Sequence, residues 1–190
     1  MIIGIDPGLT RCGFAVLEAG EVVEIGVFST RQDDLQEFRL LEQHNNLRRL
    51  LTKFNGADCL AIERPFLTRH NPDTAFGTAQ VAGIAMLLAA EREIPVQLYT
   101  PPQVKLAVTG SGAAKKDQVA VAVSKLVDLH DLPKVADATD ALAVALTASM
   151  RGGATQGVNS GSKQTSTQTE AQKLWKDALR AQNNGNLRQI

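Results

Sequence analysis

Apolar positions along the chain change their period several times, and each change marks an element. Ile2 to Asp6, Cys12 to Glu18 and Val22 to Thr30 are dominated by aliphatic and β-branched residues and predict three strands. Pro7-Gly8 and Ala19-Gly20 supply tight turns between them, so the expected arrangement is an antiparallel meander. From Asp34 to Phe54 the spacing becomes helical, with Leu35, Phe38, Leu41, Leu47, Leu50, Leu51 and Phe54 on one stripe and Asp33 or Asp34 as the expected N-cap. Cys59 to Glu63 then reads as a short buried strand. A right-handed crossover through the preceding helix lays it parallel to the first strand.

The stretch from Asn71 to Glu91, with TAFGTAQVAGIAMLLAA at its centre, is apolar nearly all round and rich in Ala and Gly. Such a helix is either deep in a core or pressed against a second copy, and the two readings stand level. Val96 to Tyr99 predicts a fifth strand; Lys116 to Leu129 and Ala136 to Met150 predict the last helices. Together they give an α/β fold, a mixed five-stranded sheet with helices on both sides, within residues 1–150. Residues 151–190 are Gly, Ser, Thr and Gln with little to bury and read as a flexible polar tail. Within the tail, Leu174, Trp175, Ala178 and Leu179 could line one face of a short amphipathic helix.

Composition narrows the class. There are 20 basic and 20 acidic residues, a balance that argues against binding nucleic acid by bulk charge. The distribution is uneven, however: between Gln103 and Lys125, Lys105, Lys115, Lys116 and Lys125 face only Asp117, and Arg64, Arg69 and His70 form a second basic group. No uninterrupted apolar run of spanning length and no basic leader are visible, so no membrane and no secretion are expected. Cys12 and Cys59 both lie in strand-like stretches and read as buried thiols of a reducing, cytoplasmic protein.

Four acids carry the candidate chemistry. Asp6 and Glu63 end two strands expected to be parallel neighbours, where open α/β sheets bind ligands. Asp137 and Asp140 sit at i and i+3 near the start of the last helix and share a face. If that helix packs over the sheet, four carboxylates meet, and their repulsion calls for hard divalent cations such as Mg²⁺ or Mn²⁺. Two such ions about 4 Å apart suit in-line attack on a phosphodiester. Taken singly, each acid also has a structural reading: a turn former at Asp6, a salt-bridge partner at Glu63, and first-turn acids at Asp137 and Asp140. No zinc constellation and no nucleophile elbow are present. The segment TGSGAAKKDQV lacks the spacing of a nucleotide phosphate loop and reads instead as a turn that carries Lys115 and Lys116 to a phosphate backbone.

GIDPGLTRCG, AIERPF, TPPQVKLAVTGSGAAKKDQV and ADATDALAVAL, in that order, resemble the RuvC family of bacterial Holliday junction resolvases from Met1 to about Met150. The resemblance implies an RNase H-like fold, a homodimer and paired nicks in a four-way DNA junction, beside the RuvA–RuvB branch-migration machinery. Carried over by position, it makes Asp6, Glu63, Asp137 and Asp140 the catalytic metal ligands, for two Mg²⁺ ions with Mn²⁺ able to substitute. The place of Asp137 is Asp or His in the family, so this chain resembles the all-acid form. Phe66 matches an aromatic near the junction centre that stacks on unpaired bases. Lys105 and Lys116 match backbone-holding residues, with Lys115 and Arg69 as further DNA contacts. The helix after Asn71 resembles the family's dimer helix. A YqgF-type RNase H-like nuclease acting on RNA is the nearest rival, since it shares the GIDPG opening.

Overall fold

The computed structural model describes residues 1–65, 72–127 and 135–152. The sheet runs β3-β2-β1-β4-β5. β1 (Ile2–Asp6) is its central strand, and β2 (Arg11–Glu18) and β3 (Glu21–Ser29) form the predicted meander on one side of it. The β2–β3 turn holds Ala19 and Gly20 at φ of 52° and 91°, a left-handed pair that matches the twist of the strands. β4 (Cys59–Glu63) lies parallel to β1 and β5 (Val96–Tyr99) lies parallel to β4, as the crossover rule requires.

Alternation along the strands divides the core into two layers. Ile3, Ile5, Cys12, Phe14 and Val16 are buried with residues of α1 (Gln36–Lys53) and α2 (Pro72–Ala90). Ala15, Leu17, Ala61 and Tyr99 are buried with residues of α3 (Pro101–Thr109), α4 (Lys116–Leu126) and α5 (Ala136–Met150). Helices therefore cover both sides of the sheet.

Glycines on β1 and β2 set how closely α5 approaches. A Cβ on Gly4 would stand 2.3 Å from the carbonyl oxygen of Ala141, and one on Gly13 would stand 2.0 Å from that of Asp137. The helix thus packs backbone to backbone on the sheet, which only glycine permits. Ala138, Ala141, Ala143 and Ala145 on its buried faces add to the closeness.

Three expectations need correction. Asp33 and Asp34 do not cap α1; Leu35 holds the N-cap position without a side-chain bond, and Asp33 accepts a hydrogen bond from Arg31 instead (2.7 Å). The apolar stripe of α1 is buried only at Leu47, Leu50 and Leu51, while Leu35, Phe38 and Leu41 are exposed, so the core is met by the second half of the helix. α3 was not foreseen as a helix, although Thr100-Pro101-Pro102-Gln103 signals one. The Gln103 side chain accepts from the Thr100 backbone N–H (2.9 Å), and proline suits the first helical turn.

α2 is long and apolar enough by length and composition to span a membrane, contrary to the expectation that no run of spanning length is present. Its Val81, Ala82, Ala85, Leu88 and Ala89 are core, whereas Phe76 and Leu87 are exposed. Cys12 and Cys59 are free and buried, and burial pushes the Cys12 thiol up to about 12. The polar tail, and the part of the α4 prediction beyond residue 127, lie outside the described residues.

Candidate active site

Each of the four acids stands on a rigid element. Asp6 is the last residue of β1 and Glu63 the last of β4, and the parallel register that sets Ile5 beside Ile62 brings the two carboxylates to one edge of the sheet. The close seat of α5 on Gly13 delivers its N-terminal turns, with Asp137 and Asp140, to the same edge. All four side chains are partly buried.

Electrostatics tie them together. Burial pushes the Asp6 carboxyl up to about 8, and the charges of Glu63, Asp140 and Asp137 push in the same direction against the pull of Lys116. Glu63 rises to about 7, first from burial and then from Asp140, opposed by Lys116 and Lys105. Carboxylates held at such values near neutral pH are short of positive charge.

Two cations supply part of it. Arg11 donates from Nε to Asp137 Oδ2 at 2.6 Å, and Lys116 donates from Nζ to Asp140 Oδ2 at 2.8 Å. The Asp140 hydrogen bond raises the Lys116 ammonium above its ordinary value. No three metal-ligating side chains among the described residues are drawn up as a finished cation site. The donor set nonetheless fits hard divalent ions: it is all carboxylate oxygen, it carries more negative charge than Arg11 and Lys116 offset, and it offers neither His nor Cys to a softer metal.

The loop between β1 and β2 is braced from α1, a feature the sequence reading missed. Gln43 is fully buried and donates from Nε2 to the carbonyl oxygens of Leu9 (3.1 Å) and Gly8 (3.4 Å). Its Oε1 is buried without a partner. Thr30 Oγ1 donates to Leu9 O (2.7 Å), and the Arg39 guanidinium donates to the hydroxyls of Thr10 (2.6 Å) and Thr30 (3.1 Å). Arg11 was missed as well, although its place directly after the DPGLT turn makes it the first residue of β2, the strand on which α5 is seated.

Of the predicted DNA contacts, Lys116 and Lys105 stand at the acids, the first bonded to Asp140 and the second within the field of Glu63. Lys115 is exposed at the N-cap of α4, where its backbone N–H donates to Gln118 (2.9 Å). Phe66 and Arg69 lie outside the described residues.

A family described as "Crossover junction endodeoxyribonuclease RuvC" matches residues 2–148. The chain is 43% identical over 183 residues to the crossover junction endodeoxyribonuclease RuvC of Bifidobacterium longum (strain DJO10A), covering 94% of this chain and 92% of the relative. The RuvC of Paenarthrobacter aurescens (strain TC1) is also 43% identical, covering 93% of this chain and 94% of the relative. Among solved structures it resembles T. thermophilus RuvC in complex with Holliday junction substrate, at a TM-score of 0.71 and 30% identity over 80% of this chain and 94% of that one. The yeast mitochondrial Holliday junction resolvase shares the fold, with a TM-score of 0.52 at 14% identity, covering 77% of each chain.

Proposed function

Because this chain belongs to the RuvC family of crossover junction endodeoxyribonucleases, we propose that Asp6, Glu63, Asp137 and Asp140 are the nucleolytic centre of a Holliday junction resolvase. The enzyme is a structure-specific endonuclease that hydrolyses phosphodiesters in strands of a four-way DNA junction, in recombination and repair. The observation that carries the assignment of these residues is the convergence of two carboxylates at the ends of parallel strands, Asp6 and Glu63, with two from the start of α5, Asp137 and Asp140; burial first and neighbouring carboxylates second raise Asp6 and Glu63.

The reaction depends on divalent metal, and the all-oxygen donor set favours Mg²⁺, two ions per site, with Mn²⁺ as substitute. When bound, the cations neutralise the acids and polarise water and phosphate for in-line displacement. The chain's own groups do the positioning. Asp6 and Glu63 are fixed by the sheet, Asp137 and Asp140 by the seat of α5, and Lys105 and Lys116 offer ammonium groups to the phosphate backbone. Lys115, Arg69 and the stacking aromatic Phe66 complete the proposed DNA contacts.

Paired nicks require two such centres. The exposed Phe76 and Leu87 on α2 favour a homodimer through that helix, and family membership favours work beside RuvA–RuvB. We further propose that residues 1–150 are the nuclease domain and 151–190 a separable polar tail.

The test is nicking of a synthetic four-way junction with Mg²⁺, set against linear duplex and single-stranded RNA. Symmetric paired cuts in the junction alone, lost on chelation, are expected. Preferential hydrolysis of the RNA would restore the YqgF-type alternative, which the family match and the RuvC relatives do not favour.

A further inference from the structure

An endonuclease cuts inside a strand, so a strand whose scissile phosphate stands at Asp6 must leave the acids in two directions. Towards α3 and α4, Glu63 and Asp140 stand with Lys105 and Lys116. On the other side, the β1–β2 loop and α2 bound a groove of about 520 Å³ that starts at Asp6 and Asp137 and is lined by Thr10, Arg11, Arg39 and Thr78. Its continuity with the acids, and the two arginines in its lining, set it apart from an apolar docking groove.

The two arginines there hold their charge in different ways. Arg39 makes no ion pair among the described residues; the neutral hydroxyls of Thr10 and Thr30 pin its guanidinium in place, which orients a cation without neutralising it. Asp73, in the first turn of α2, also lines the groove. Arg11 is half exposed and meets Asp137 through Nε. A guanidinium has further N–H groups, in a planar fork that fits a phosphate.

We infer that this groove is a second track for the sugar-phosphate backbone of the cut strand, with Arg11 and Arg39 as its phosphate contacts. Arg11 is a stand-in cation on Asp137 in the DNA-free enzyme and transfers to a phosphate when strand and metal arrive. The inference rests on the assignment of the four acids made above. It has a consequence that a merely structural arginine would not have. While Arg11 sits on Asp137 it competes with metal for that carboxylate, and once transferred it holds DNA. Its removal therefore acts on the two ligands with opposite sign.

The experiment uses the full chain as wild type, Arg11→Gln, Arg39→Gln, Arg39→Lys and Asp6→Asn. Mn²⁺ binding without DNA is measured by calorimetry, and binding of a labelled synthetic four-way junction is measured with Ca²⁺ across a range of salt. Arg11→Gln is expected to bind Mn²⁺ at least as tightly as wild type, yet to bind the junction about tenfold more weakly. Its slope of log affinity against log salt should be shallower by about one. Arg39→Gln should lose a similar slope with Mn²⁺ binding unchanged, and Arg39→Lys should recover the slope. Wild-type salt slopes in both Gln variants, or weakened Mn²⁺ binding in Arg11→Gln, overturn the inference. Wild-type protein that takes up no Mn²⁺, or Asp6→Asn protein that takes it up as well as wild type, instead overturns the assignment of the acids and the groove with it.

Discussion

A methyl group on Gly13 would lie 2.0 Å from the carbonyl oxygen of Asp137. The contact joins the second strand of the sheet to the first turn of the helix that carries half of the acid cluster. The absence of a side chain at residue 13 is therefore part of the site's geometry as much as any carboxylate. Gly13→Ala must move backbone against backbone, since neither neighbour is a flexible side-chain end. The expected result is a folded protein of lower melting temperature whose nicking falls by orders of magnitude, because a shift of about 1 Å in Asp137 and Asp140 costs on the order of 100-fold. Wild-type turnover in Gly13→Ala would show that the seat of α5 does not set the site.

The brace under the β1–β2 loop gives a second test. Gln43→Met keeps volume and removes the donor to Leu9 and Gly8; Leu9 O keeps the Thr30 hydroxyl, while Gly8 O loses its side-chain donor. Part of the loss is offset, because the buried and unpartnered Oε1 goes with it. A destabilisation of about 1–3 kcal/mol is expected from denaturant unfolding. Cleavage should drop further than junction binding, since the loop begins at Asp6. An equal drop in both would mean that Gln43 serves the fold alone.

Much of this was legible in the chain. The strands announce themselves by short aliphatic runs between Gly and Pro turns, and Asp6, Glu63, Asp137 and Asp140 fall at element ends that the parallel crossover rule brings together. α3 was hidden because Pro101-Pro102 reads first as a breaker, although at a helix start proline is favoured. Arg11, Gln43 and Arg39 were illegible for a different reason. Each acts across a long sequence separation: Arg11 on Asp137, Gln43 on Gly8 and Leu9, Arg39 on Thr10. No local period encodes such contacts. The exposure of Leu35, Phe38 and Leu41 likewise depends on which turns of α1 meet the core, which a helical stripe does not reveal.

Asp6→Asn removes one negative charge and keeps the shape of the strand end. Nicking with Mg²⁺ is expected to disappear while junction binding survives or tightens, because the edge then repels phosphate less. Electrophoretic binding and cleavage on the same labelled junction check both halves. Cleavage at the wild-type rate would falsify the role given to Asp6, and weaker junction binding would mean that the carboxylate helps to hold DNA through the metal.

The raised carboxyls also predict how stability varies with pH in metal-free protein. Asp6 moves from 3.8 to about 8 and Glu63 from 4.5 to about 7. Between these limits the folded chain keeps protons that the unfolded chain has released, so the folded state binds more protons and stability must fall as pH rises. The contribution is whole below about pH 4 and is lost progressively up to about pH 8. The buried thiols titrate above this window, Cys59 at about 11 and Cys12 at about 12, and leave it clear. Thermal unfolding with a chelator should therefore show a melting temperature several degrees lower at pH 8.5 than at pH 6. Asp6→Asn cannot ionise and should lose most of this decline, ending more stable than wild type at pH 8.5. Mn²⁺ should restore wild type at pH 8.5 far more than at pH 6, because a cation at the acids displaces protons at low pH but meets ready carboxylates at high pH. A flat profile in chelator, identical for wild type and Asp6→Asn, would mean that the acids are already ionised and solvated. The electrostatic case for a metal at this edge of the sheet would then fail.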